Sequence, residues 1–251
     1  MRLTLITPYR DRLSHLTNQL NWWLATPRLD LEWIVVQVTP DPEPTLQQTL
    51  QAHQVRYLHL ACGGPFHKTR ALNLALHQAQ GDLIAAFDVD LIPLGATLQR
   101  HCWLAARSPQ LLVTGYRLMA PTETVDLTTA ALKSALEQST LGPEDQPTAL
   151  RKHLLQGERF GVMPLFQRDR LLRLGGWDQT FVGWGAEDQD LIERYLTPDQ
   201  ALCRCPELVY LHLQHGPAPD WQVPSLIQRN RQHYYSRRLS QRQAKSELSE
   251  S

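Results

Sequence analysis

From Leu3 to Tyr116, short unbroken apolar runs alternate with segments whose apolar residues recur every three or four positions. Leu3 to Thr7, Trp33 to Val38, Leu83 to Phe87 and Leu111 to Tyr116 are runs of the first kind and read as strands, as does Val55 to Leu60, which alternates instead. Between them, Asp11 to Ala25 carries Leu13, Leu16, Leu20 and Leu24 at helical spacing, and Lys68 to Gln80 carries Leu72, Leu76 and Ala79. Thr45 to Ala52 and Ala96 to Arg107 read as two further helices. This strand–helix rhythm predicts a parallel sheet with helices on both faces, with Leu111 to Tyr116 as the last strand of the series. Ligands on such sheets sit beyond the carboxyl ends of the strands.

The second half reads differently. Residues 120–150 are polar and predict a connection with one weak helix. Gly161 to Phe166 and Leu208 to Leu213 read as strands, and a short helix opens at Glu187. The stretch from residue 227 onward is Arg-rich and ends in Ser and Glu, which predicts a solvated helix with a disordered end. The organisation expected is therefore one domain over residues 1–226, followed by an appendage over 227–251.

The 251 residues carry 25 basic and 25 acidic side chains, which counts against a nucleic-acid binder working by bulk charge. No run of roughly 18 apolar residues exists, so no transmembrane helix is expected. The apolar N-terminus is too short for a signal peptide, because Pro8 interrupts it. Cys62, Cys102, Cys203 and Cys205 do not make a zinc-site spacing, and free thiols in a reducing compartment are expected.

Candidate chemistry lies where strands end. Asp88-Val89-Asp90 follows a buried strand with no cation next to it in sequence. Two adjacent carboxylates repel unless a cation intervenes, and a hard divalent ion suits their oxygens. Gly183-Trp184-Gly185-Ala186-Glu187-Asp188-Gln189-Asp190 gathers three acids at a helix start. Helix-dipole capping explains the acids but not the glycines or Trp184, whose flat ring suits a sugar face or a nucleobase. An acid beside that ring is a candidate general base. Arg10 and Arg12 at the end of the first strand suit a diphosphate, and Tyr9 could stack on a base. Lys68, Arg70 and Asn73 lie on one helix and could reach a common ligand, and His212 and His215 are spaced to converge on a metal.

Together these segments resemble, in order from Pro8 to His215, the nucleotide-sugar glycosyltransferases of the GT-A fold. The likeness is strongest to the β-1,4-galactosyltransferase-like group and its relatives in glycosyltransferase family 2. Pro8-Tyr-Arg-Asp-Arg12 is similar to that group's Pro-Phe-Arg-Asn-Arg loop. Lys68-Thr-Arg-Ala-Leu-Asn73 resembles its basic helix, Asp88-Val-Asp90 its D-V-D, and the segment from Gly183 to Asp190 its G-W-G-G-E-D-D-D. The resemblance implies an α/β GT-A (Rossmann-like) fold, with a central mostly parallel sheet flanked by helices in a single domain. It also implies roles. Asp90 would bind Mn2+ (or Mg2+) with His215 and His212, and Asp88 would contact the ribose or the metal's water shell. Arg10, Arg12 and Lys68 would serve the nucleotide, with Pro8, Tyr9, Arg70, Asn73, Val89 and Gly185 completing the nucleotide-sugar site. Asp188 would be the catalytic base, Glu187 would hold the acceptor, and Trp184 would close over the donor.

The expected activity is metal-dependent, inverting transfer from a UDP-sugar to a glycan, glycolipid or small-molecule hydroxyl, forming a β-linkage. Retaining relatives tend to carry Glu-Asn where this chain has Glu187-Asp188. Ala186 replaces the second glycine of the motif, which stiffens the loop, and Gln189 replaces one of its acids. The animal members' anchor and stem are missing, so a cytoplasmic enzyme is expected. Contact of Arg229 to Arg242 with the inner membrane face is the alternative to a solvated tail. The rival functions are a non-catalytic nucleotide-sugar or glycan binder on the same scaffold, and a nucleotidyltransferase. The missing glycine between Pro8 and Arg12 counts against the latter.

Overall fold

The computed structural model describes residues 1–27, 30–197, 200–216 and 221–249. Its strands are β1 (Leu3–Tyr9), β2 (Leu31–Thr39), β3 (Arg56–Ala61), β4 (Leu83–Ala86), β5 (Leu91–Pro93), β6 (Leu111–Met119), β7 (Thr140–Leu141), β8 (Phe166–Gln167) and β9 (Ala201–His212). Its α-helices are α1 (Leu13–Ala25), α2 (Pro44–Ala52), α3 (Lys68–Leu76), α4 (Thr97–Arg107), α5 (Thr129–Gln138), α6 (Pro147–Gln156), α7 (Arg168–Arg173), α8 (Glu187–Tyr195) and α9 (Pro224–Ser249).

Five strands form the main sheet in the order β3-β2-β1-β4-β8. β1 runs parallel to β2 and β4, β2 runs parallel to β3, and β8 closes the far edge antiparallel to β4. The two central strands are apolar because both their faces are covered. Leu3, Leu5, Trp33 and Val35 point into one core with Leu16, Trp22 and Trp23 of α1. Ile6, Ile34, Val36 and Val38 point into the other, with Ala71, Leu72, Ala75 and Leu76 of α3.

The parallel series stops at β4, which departs from the sequence expectation for Leu111 to Tyr116. That segment is β6, and it belongs to a second sheet of order β5-β9-β6-β7. Its partner β9 runs parallel to it, with a register shift between Thr114 and Tyr116. Gly115 sits at that shift, where a Cβ would lie 2.3 Å from the Leu208 carbonyl oxygen, so only glycine admits the close approach. Gly161 to Phe166 is not the strand its composition predicts. Val162 makes an isolated bridge to Gly115, and regular pairing begins only at Phe166.

The second sheet shapes the site through β5. The chain leaves β4, turns through Asp88–Asp90 and enters β5, which pairs antiparallel with β9 so that Leu91 faces His212. The Leu213 amide donates to the Asp90 carbonyl at 2.8 Å. Backbone pairing alone thus carries His212 to the acidic turn. The turn is also held from below: the fully buried Gln19 amide of α1 donates to the Asp88 and Leu91 carbonyls at 2.8 and 3.0 Å. The Arg-rich segment is α9, helical from Pro224 to Ser249; of the last ten residues or so, expected to be disordered, Glu250 and Ser251 lie outside the described residues and the others belong to this helix. Among the described residues no helix is long and apolar enough to cross a membrane.

Candidate active site

A cavity of about 400 Å³ opens beyond the carboxyl ends of the main strands. Pro8, Arg10 and Arg12 reach it from the loop after β1, Lys68 from the start of α3, Asp88 and Val89 from the turn after β4, and His215 from the chain after β9. Residues as far apart in sequence as Pro8 and His215 therefore share one pocket, as the topology of a parallel sheet allows.

At one end stands a carboxylate with two imidazoles. One ligand atom each from Asp90, His212 and His215 can be chosen with all three within 4.8 Å of one another. His212 Nε2 and His215 Nε2 each lie 3.5 Å from an Asp90 oxygen. Two buried atoms here, Asp90 Oδ1 and His212 Nδ1, lack a hydrogen-bond partner. Burial depresses the His212 pKa against the opposing pull of Asp90, which keeps the imidazole neutral and its lone pair available. A carboxylate with two imidazoles and an orphaned oxygen fits a divalent transition-metal ion such as manganese. Arg12 binds the other Asp90 oxygen at 2.7 Å and lies over the Trp221 ring, 4.9 Å from its centroid.

The other end is organised by Lys68. Its buried ammonium lies 3.1 Å from Asp88, 3.3 Å from Glu187 and 3.1 Å from Asp188. Burial alone would lower its pKa, but Asp188, Asp88 and Glu187 outweigh burial and hold it well above the ordinary lysine value. Asp88 is pushed the other way by burial, yet Lys68 and then Arg117 keep its carboxyl below the usual range. Glu187 titrates higher than usual because it is buried and Asp188 is beside it. One ammonium thus ties the acidic turn after β4 to the acids that open α8.

The loop before α8 needs its glycines. Gly183 and Gly185 have φ of 73° and 116°, and a Cβ on Gly183 would lie 2.7 Å from the Trp221 carbonyl oxygen. Ala186 also adopts a left-handed φ of 68° despite its side chain, a conformation costing about 1–2 kcal/mol. Glu187 offsets part of this by accepting the Gly185 amide at 2.9 Å. Trp184 is exposed and Asp188 half-exposed, and neither lines the cavity, although Asp188 is paired with Lys68, which does.

Other expected site residues are engaged elsewhere. Tyr9 is buried in the core with its pKa raised to about 12 by burial, so it does not reach the cavity to stack on a base. Asn73 clamps Trp177, donating to its carbonyl at 2.7 Å and accepting its amide at 2.9 Å. Arg70 is exposed and does not line the cavity. Arg10 lines it, but its guanidinium is also bonded to the carbonyls of Val38, Cys62 and Gly64. Asp190 is buried and paired with Arg194 and Arg237 rather than facing the pocket. Sequence reasoning missed Phe66, Trp221 and His15, which line the cavity. Phe66 and Trp221 pack at 5.1 Å between centroids, with Arg10 and Arg12 against them, making an aromatic wall. Phe66, two residues before Lys68 in a turn sequence, carried the only local signal.

Helix α9 is built into this region. The buried Asn230 donates to the Val182 and Trp184 carbonyls at 2.9 and 3.2 Å. His233 and Arg237 bind Asp178 at 2.9 and 3.0 Å, and Tyr234 donates to Glu193 of α8 at 2.8 Å.

Residues 149–216 match the family model described as the N-terminal domain of galactosyltransferase. That stretch contains the Gly183–Asp190 segment, His212 and His215. No curated protein sequence matches significantly. Solved structures do. TarS of S. aureus superposes with a TM-score of 0.59 at 15% identity, covering 85% of this chain and 37% of that one. The mannosyltransferase PcManGT of Pyrobaculum calidifontis, in complex with GDP-Man and Mn2+, gives 0.57 at 20% identity over 88% and 58%. TarS 1–349 with UDP-GlcNAc gives 0.57 at 16% identity over 89% and 61%. The fold is that of the GT-A glycosyltransferases. The chain spans only part of each of those proteins, between 37% and 61% of their lengths.

Proposed function

We propose that the chain is a metal-dependent, inverting glycosyltransferase that moves a sugar from a UDP-sugar to an acceptor hydroxyl, forming a β-glycosidic bond. The observation that carries this reading is the cluster of Asp90, His212 and His215 beside a cavity lined by Lys68, Asp88 and His215, with Asp188 paired to Lys68. Proteins of similar fold have been solved in complex with GDP-Man and Mn2+ and with UDP-GlcNAc, which supports a nucleotide-sugar donor.

Asp90, His212 and His215 would hold the cation. When bound, it supplies positive charge to the diphosphate leaving group. Arg12 adds a guanidinium on the same side, and the Phe66–Trp221 wall offers a flat apolar surface to the base. Asp188, half in solvent and paired with Lys68, accepts the proton of the incoming hydroxyl. A single displacement assisted by one base inverts the anomeric carbon, so an α-linked donor gives a β-linked product.

Thermal unfolding with UDP, GDP, CDP and dTDP, each with and without manganese, tests the donor site. A nucleotide at 100 times its dissociation constant stabilises by about 2.7 kcal/mol, a rise of several degrees for a domain of this size. The shift is expected with UDP, to require manganese, and to vanish in Asp90→Ala. A shift with GDP alone would change the donor. No shift with any diphosphate would overturn the reading. Proton NMR of the product then reads the anomer, and an α-linked product from an α-linked donor would refute inversion.

A further inference from the structure

We propose that the leucine-bearing face of α6, together with the adjoining middle of α9, docks on the surface of an anionic lipid bilayer. Helix α6 buries only Ala149 of its ten residues. Leu150, Leu154 and Leu155 are 58%, 72% and 83% exposed, on a helix too short to be stable by itself. Single exposed leucines are ordinary, but three on one two-turn segment make a patch. Leu150 and Leu154 lie one turn apart on one row, and Arg151 and Leu155 lie on the next. Helix α9 extends the patch. Its Arg238 donates to the Gln156 carbonyl at the end of α6, and Tyr235 donates to Glu158 at 2.9 Å. Tyr235 and Leu239, again one turn apart, are both exposed.

Charge identifies the occupant. No acid occurs in residues 147–157 or 224–245, although the whole chain balances 25 basic against 25 acidic residues. Arg151, Lys152 and Arg231 are exposed in the patch. The nearby acids are already engaged: Glu144 with Arg117, Asp145 with Arg204, Glu158 with Tyr235, and Glu193 with Arg238. A second copy docked by two-fold symmetry would set these cations against their own equivalents. A polyanion such as RNA would leave the leucines in water. An anionic bilayer satisfies both features, with leucines at the acyl boundary, cations at the headgroup phosphates and Tyr235 at the interface.

The experiment is co-sedimentation of the full chain with vesicles of phosphatidylcholine alone and of phosphatidylcholine mixed with phosphatidylglycerol. Binding is expected only to the mixed vesicles and should weaken as salt is raised. The Leu154→Asp/Leu155→Asp double variant should not bind. Arg151→Gln/Lys152→Gln should partition roughly 25-fold less, at about fivefold per lost cation. Both variants should keep the parent melting temperature, because the side chains are exposed, and Leu24→Asp, also on the surface, should bind normally. Absence of binding to the mixed vesicles would overturn the proposal, as would unchanged binding by the leucine variant. A concentration-dependent dimer in analytical ultracentrifugation, dissociated by the same leucine changes and blind to vesicles, would assign the patch to a second copy instead.

Discussion

Individual side chains divide the site into two ends, with Asp90, His212 and His215 at one and three acids gathered by Lys68 at the other. Lys68 touches Asp88 and Asp188 at 3.1 Å each, so removing either acid changes the field felt by the other. Asp188→Asn keeps the size and most of the geometry while removing the basic lone pair. Turnover should fall by roughly 10²–10⁴-fold if Asp188 is the base, with the manganese-dependent UDP shift retained. Steady-state kinetics beside the melting assay separates these effects, and normal turnover would remove Asp188 from the chemistry. The sequence made this residue legible, because an acid after Gly-Trp-Gly at a helix start is a local pattern. It did not make Asn73, Tyr9 or Asp190 legible, because the partners that engage or bury them lie far along the chain. Asn73, for example, is matched to Trp177, 104 positions away.

Among the elements, α9 is an integral strut. Asn230 holds the two carbonyls that flank Gly183, and His233 and Arg237 anchor Asp178 ahead of that loop. Asn230→Ala should lower kcat and raise the acceptor KM while sparing the UDP-with-manganese shift, at a stability cost of about 1–3 kcal/mol for the carbonyls left unpaired. Unchanged kcat and KM with a lowered melting temperature would make α9 a purely structural brace. A second element-level link is His101 of α4, fully buried, with Nε2 2.9 Å from the Val113 carbonyl and Nδ1 2.7 Å from the Tyr210 hydroxyl. Nε2 donates to the carbonyl and Nδ1 accepts from the hydroxyl, so the ring is neutral, and burial lowers its pKa to about 4. The unfolded chain takes up this proton near pH 6.5, before the folded one does. Stability should therefore fall as pH drops from about 6.5 to about 4, by about 3 kcal/mol from this group alone. Urea unfolding across that range measures it, and His101→Gln should flatten the limb.

Taken whole, the molecule puts its chemistry where two sheets meet. The main sheet delivers the loops after β1, β3 and β4, and the second sheet delivers His212 and His215 through β9. The same arrangement leaves α6 beside α9, with an uncovered apolar and basic face. Asp90 depends on both sheets, being the last residue before β5 and paired through its backbone with Leu213. Substitutions that loosen the β5–β9 pairing should therefore act on metal binding before they act on nucleotide contacts from β1.

The sequence by itself determined the strand–helix rhythm of the first half and the positions of the acidic and glycine-rich motifs. Those features are local: an apolar run long enough to be buried on both faces, and polar residues where it ends. Tertiary structure decided what the motif residues touch. Lys68 sits 120 positions from Asp188, and no spacing rule links an ammonium to a carboxylate at that distance along the chain. It also decided that β6 joins a second sheet, that Tyr9 is core, and that the Arg-rich segment supports the active-site loop. In each case the deciding quantity is the burial and pairing of groups brought together only after the chain has crossed the sheet.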